Sequence, residues 1–150
     1  METENSEALV VVRATSDDVP AILYLCKKLF TYEIENEFDV NLNPLWAETE
    51  EAHTDIRERI SSNDSCGFVV KKDNTVIVYL VGNILTEETG RIASKYAEIE
   101  HMFVESEFRG AGLGEKLVDA FKEWAVEKGL TRIKVTASSE NKKAINFYKK

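Results

Sequence analysis

Three glycines stand within five residues, Gly110-Ala111-Gly112-Leu113-Gly114, directly after Arg109. An apolar, strand-like run precedes them and an amphipathic helix follows. Glycines let a backbone approach an anion closely, and N–H groups at a helix start point outward with a partial positive charge. The chemistry on offer is therefore a phosphate cradle made of backbone. The spacing excludes the two commonest versions. There is no GxxxxGK[ST] loop, and Glu115 stands where a GxGxxG fingerprint needs its third glycine. Just upstream lie Glu98, Glu100 and His101. Strict strand alternation puts Glu98, Glu100 and Met102 on one face, and His101 with Ile99 and Phe103 on the other. Two carboxylates on one face of a central strand mark a face that meets water or a site. On this parity His101 is structural, unless a bulge changes the register.

The elements that must position these residues follow from periodicity. Leu9–Arg13 is a short β-type run. Thr15 or Ser16 caps a helix over about 17–32, whose apolar positions are Val19, Ile22, Cys26, Leu29 and Phe30. Residues 36–47 read as loop, and a second helix of about 47–61 carries Ile56 and Ile60 on one side. Gly67–Lys72 and Thr75–Leu85 form a hairpin around Asp73-Asn74. Tyr96–Val104 is the next strand. A helix over about 112–128 has the stripe Leu113, Leu117, Phe121 and Trp124, ended by Gly129. Thr131–Thr136 is a strand, and Asn141–Tyr148 begins a last helix. The order β-α-α-β-β-β-α-β-α predicts a mixed α/β layered domain, a single domain over 1–150.

Composition narrows the function classes. The 150 residues carry a net charge of −8, which argues against a general nucleic-acid binder. The expected location is cytoplasmic: the start of the chain is polar and acidic, and no apolar run is long enough to span a membrane. Cys26 and Cys66 belong to no CxxC or CxxH arrangement, so no metal site is expected. Acid is concentrated in residues 31–60. Tyr32, Glu33, Glu35, Glu37 and Trp46 there suggest an acidic, aromatic mouth suited to an amine. Packing residues and a solvated helix face are the plainer alternatives.

Arg109-Gly-Ala-Gly112-Leu-Gly114 resembles the Arg/Gln-x-x-Gly-x-Gly/Ala motif of the GCN5-related N-acetyltransferases, the GNAT superfamily. Asn141-Lys-Lys-Ala144-Ile-Asn-Phe147-Tyr148 is similar to that family's Asn-x-x-Ala-x-x-Phe-Tyr helix, and Val12-Arg13-Ala-Thr15-Ser-Asp17-Asp18 to its usual opening. Ser106 replaces a common proline before the turn. The resemblance spans residues 9–148.

It implies acetyl-CoA as acyl donor, with the pyrophosphate on the N–H groups from Gly110 through Ala111, Gly112, Leu113 and Gly114 to Glu115, and Arg109 adding charge at the edge. The Met102, Phe103 and Val104 backbone would pair with the pantetheine arm and polarise the thioester carbonyl. Asn141 would contact the cofactor, a helix N-cap being its alternative role. Tyr148 would donate a proton to the departing thiolate, or serve as a core aromatic.

An amine acceptor of pKa near 10.4 must lose a proton before it attacks, so a base is needed. By similarity Glu100 or Glu98 takes it, Glu100 being placed first. Each has the alternative of holding a cationic acceptor or facing solvent. A carboxylate in a partly apolar cleft would be raised into a useful range. The strand-end glutamate of ribosomal-protein acetylating relatives is absent, with Thr136 in its place. The implied reaction is direct acetyl transfer to a primary amine of a small molecule or peptide. A non-catalytic acyl-CoA-binding regulatory module is the alternative. Relatives usually continue into two more strands after the Phe-Tyr helix. The sequence stops at Lys150 before these C-terminal strands, so either it is truncated or a partner chain covers the exposed sheet edge, and a homodimer is the expectation in the second case.

Overall fold

A computed structural model of the chain describes residues 9–39, 41–87, 90 and 94–135. The predicted helix at Asn141–Tyr148 lies outside the described residues, and so does Thr136.

Five strands form one sheet in the order β1-β2-β3-β4-β5: Leu9–Arg13, Ser65–Lys72, Thr75–Glu87, Ser94–Val104 and Ile133–Val135. The first four pair antiparallel, and β5 joins β4 in parallel, so the sheet is mixed. The β2–β3 turn is the expected one. Asp73 and Asn74 adopt φ of 52° and 67°, the left-handed pair that a tight hairpin needs. Helices α1 (Val19–Glu35) and α2 (Glu50–Ser61) cover one face, and α3 (Leu113–Glu127) covers the other.

Alternation along the strands builds both cores. Val69, Tyr79, Val81 and Phe103 face α1 and α2, where Ile22, Cys26, Phe30 and Ile56 are buried. Phe68, Val70, Val78, Leu80, Ala97 and Ile99 face Leu113, Leu117, Phe121 and Trp124 of α3. Both thiols are sealed in these cores. Burial pushes Cys26 up to about 11 and Cys66 up to about 12, so neither is a nucleophile near neutrality.

The helix starts differ from the periodicity reading for local reasons. A single 3-10 turn, Ser16–Asp18, precedes α1, with the Asp18 carboxylate accepting from Thr15 N–H at 2.9 Å and pairing with Lys71 at 3.0 Å. The 36–47 loop contains another 3-10 turn, Pro44–Glu48, which delays α2. Its entry is set by Asn43, whose Oδ1 accepts from Leu45 N–H at 3.1 Å. Thr49 then caps α2, its hydroxyl accepting from Ala52 N–H at 3.1 Å.

Candidate active site

The glycine turn joins β4 to α3 as the spacing requires. Gly110 and Gly112 have φ of 85° and 77°, which L side chains rarely adopt, and a Cβ at either would meet nothing within 4 Å. The glycines are there for backbone conformation, and the space beside them is open. Gly112 is the N-cap of α3 and supplies no side-chain cap. The Lys116 N–H reaches the Gly112 carbonyl at 3.2 Å. Helix geometry therefore leaves Leu113, Gly114 and Glu115 at the start of α3 with N–H groups that have no partner one turn back. An open, electropositive backbone cradle of this kind fits an anionic phosphate group.

Beside the turn, the β4 backbone is paired with β3 through Leu80↔Met102, Tyr79↔Phe103 and Val78↔Val104. On its other edge β5 pairs only with Ala97–Ile99. Among the described residues, no strand covers that edge from Glu100 to Val104. Half of the backbone groups of that stretch point to this open edge.

Strict alternation fails at the most informative place. Val81 pairs with His101 but Gly82 pairs with Ile99, so Glu100 is an extra residue in β4. This β-bulge shifts the parity by one. Ile99 and Met102 both turn to the α3 side. The predicted grouping is therefore corrected at Met102, which leaves the face of the two carboxylates, and at His101, which joins it. Glu100 and His101 both reach the α1–α2 side, Glu100 to Arg59 of α2 and His101 to Phe30 of α1. Glu98 lies in register between Asn83 and Lys134.

Arg59 is the residue that sequence reasoning missed. It forms ion pairs with Glu100 and, at 3.0 Å, with Asp55. A small cleft of about 270 Å³ opens here, lined in part by Asp55, Glu58, Arg59, Asp64 and Asn83. The buried Asn83 Oδ1 and His101 Nδ1 have no hydrogen-bond partner among the described residues.

His101 stands edge-on to Phe30 at 5.7 Å between centroids. Burial, then the Arg59 charge, lowers its pKa from 6.5 to about 4. A neutral imidazole is thus built into the fold. Because the unfolded chain binds a proton at higher pH than the native chain, stability is full above pH 6.5 and falls as pH drops toward 4. At pH 4 the loss through this residue reaches about 3 kcal/mol. His101→Leu is expected to flatten the pH dependence of urea-unfolding stability over that window; an unchanged slope counts against the assignment.

The acidic, aromatic mouth is only partly assembled. Trp46 stacks on Phe30 at 6.0 Å and packs against the core, so it is a packing residue first. Tyr32 and Glu35 do line a cleft of about 600 Å³ between α1 and the Pro44–Glu48 turn with the start of α2, but Lys27 and Lys28 line it too. Its charge is mixed, because these lysines share the cleft with Glu35 and Glu48. Asn141 and Tyr148 lie outside the described residues.

A five-stranded mixed sheet, a left-handed glycine turn at a helix start and a bulged strand with, among the described residues, an open edge define a layered α/β fold with an anion cradle beside its central strand. The profile of the acetyltransferase (GNAT) family matches residues 29–150, and the chain belongs to that family. Among curated proteins it is 41% identical over 54 residues to an uncharacterized N-acetyltransferase of Methanocaldococcus jannaschii. That stretch is 36% of this chain and 24% of the relative. It is 35% identical over 51 residues to a thialysine N-epsilon-acetyltransferase of Sus scrofa, covering 34% of this chain and 30% of the relative. The matches thus span under a third of these relatives' own lengths. Among solved structures, an aminoglycoside N-acetyltransferase in complex with CoA superimposes with a TM-score of 0.78 at 18% identity, covering 99% of this chain and 89% of that one. An aminoglycoside 6′-N-acetyltransferase of Acinetobacter baumannii gives 0.73 at 20% identity, covering 95% and 88%. At these identities the likeness is one of fold.

Proposed function

We propose that this chain transfers an acetyl group from acetyl-CoA to a primary amine of a small molecule or peptide, by direct attack. The observation that carries this reading is a juxtaposition. The open glycine cradle at Gly110–Gly112 lies at one end of the Glu100–Val104 stretch of β4, whose outer edge no strand covers among the described residues, and the Glu100 bulge lies at the other end. Relatives named for thialysine and aminoglycoside acceptors support an amine.

Acetyl-CoA, when bound, supplies the acyl group activated as a thioester. The N–H groups from Gly110 to Glu115 hold its pyrophosphate, and the Met102–Val104 backbone steadies the pantetheine arm and the thioester carbonyl. Glu100, or Glu98, accepts the proton that the amine sheds, directly or through one water. The Tyr148 hydroxyl, outside the described residues, returns a proton to the sulfur that leaves. One N–C bond forms and one C–S bond breaks, with no net change in protons.

Calorimetric titration with acetyl-CoA, followed by thiol release across a panel of primary amines and peptides, tests the reading. Absence of binding rejects it. Binding without turnover on any amine favours a non-catalytic acyl-CoA-binding module, the reading that the Arg59–Glu100 ion pair would fit.

A further inference from the structure

We propose that α1 pre-shapes the phosphate-binding turn, with Arg109 serving as a positioning residue clamped by Tyr32. The inference rests on the reading that this turn takes acyl-CoA. Arg109 is exposed, yet its side chain is already engaged within the protein. Its Nε–H donates to the Val104 carbonyl at 3.0 Å, which closes the end of β4 onto the start of the turn. Its guanidinium carbon lies 5.2 Å from the Phe103 ring centroid and 5.6 Å from that of Tyr32. Both are within cation–π range. Phe103 belongs to the core of β4, and Tyr32 belongs to the last turns of α1, braced by Phe38 at 5.9 Å.

A second strap runs parallel to the first. Lys28 of α1 donates to both carboxylate oxygens of Glu105, at 2.9 and 2.8 Å. Glu105 in turn donates its N–H to the Ile77 carbonyl of β3 at 3.0 Å. The segment from Val104 to Arg109 is therefore held by α1 from one side and by the sheet from another. The glycines that follow it are conformationally permissive and would otherwise have to be ordered when a ligand binds. Ordering them beforehand removes that cost from the binding step. Arg109 thus acts on the cradle through its shape. A guanidinium that merely lent charge to the phosphates would not need Tyr32.

The test is CoA affinity by calorimetry at fixed salt, with thermal midpoints measured beside it. Tyr32→Phe keeps the ring face and is expected to bind CoA like the wild type. Tyr32→Leu keeps bulk but loses the π face, and is expected to weaken CoA by about fivefold. In an Arg109→Met background the Tyr32→Leu change is expected to have no further effect. Arg109→Lys, a surface change that preserves charge, loses the planar fork and its Nε–H, and is expected to weaken CoA by about the same factor. Wild-type affinity in Tyr32→Leu overturns the inference, as does wild-type affinity in Arg109→Lys should Tyr32→Leu fail to fold. An equal loss from Tyr32→Leu with and without Arg109 also overturns it, since the ring would then act elsewhere. A wild-type protein that binds no CoA overturns both the inference and the reading beneath it.

Discussion

Glu100→Gln is expected to lower kcat/KM for a primary amine acceptor by about a hundredfold, the lower end of what a positioned base contributes. Glutamine keeps the shape of the side chain and removes the proton acceptor. The bulge makes Glu100 the better placed of the two glutamates, because it is the one residue of β4 that the β3 register leaves over, and it reaches α2. Arg59 keeps its other partner, Asp55, at 3.0 Å, so the substitution does not strand a buried cation. The thermal midpoint should therefore move little while turnover collapses. Glu98→Gln, in the regularly paired part of β4 before the bulge, is expected to have the smaller effect. Steady-state kinetics over both single variants and the double variant decide the matter. A double variant within a few-fold of wild type in kcat/KM removes the carboxylates from the proton-transfer step.

Gly82→Ala is expected to destabilise the fold by about 3 kcal/mol, the upper range for overpacking a filled core. A Cβ at Gly82 would lie 2.4 Å from Phe121 Cε1 and 2.7 Å from its Cζ, and 2.6 Å from the Glu98 carbonyl oxygen. Neither neighbour yields easily. Phe121 is fully buried and packed on Trp124 at 5.4 Å, and the carbonyl belongs to the paired β4 backbone. Relief must come from moving α3 outward or β4 sideways. Either movement disturbs the bulge that presents Glu100. Urea unfolding should show a lower midpoint at an unchanged slope. Adding Phe121→Leu should recover only part of the loss, because the carbonyl contact persists. Stability within 0.5 kcal/mol of wild type would show that the sheet relaxes freely around this position, contrary to the packing described.

The two predictions concern neighbouring points on adjacent strands, and they explain where sequence reading succeeds and fails. Element order was legible because each element carries its own period. Val19, Ile22, Cys26 and Phe30 in α1, and Leu113, Leu117, Phe121 and Trp124 in α3, are buried as their spacing indicates. The Asp73-Asn74 turn and the glycine turn were legible because left-handed backbone restricts the residue types that can sit there. The 3-10 turn at Pro44–Glu48 shortened α2 because Thr49, rather than an earlier residue, offered the capping hydroxyl.

The side-chain geography of the site was not legible in the same way. A strand's period of two holds only while its register holds, and the bulge at Glu100 is created by pairing with β3, at Val81 and Gly82. Nothing within Tyr96–Val104 announces it. Arg59 and Glu100 are 41 positions apart in the chain and meet only because α2 packs across the sheet. The same holds for Tyr32 with Arg109, and for Lys28 with Glu105. The amino-acid sequence alone determined the layered mixed fold, the glycine cradle and the candidate carboxylates, since these depend on local conformation and on residue type. Tertiary structure alone decided which face the carboxylates and His101 share, which cation neutralises Glu100, and that Arg109 is clamped rather than free. Those outcomes rest on strand register and on contacts between distant segments, which no local spacing encodes.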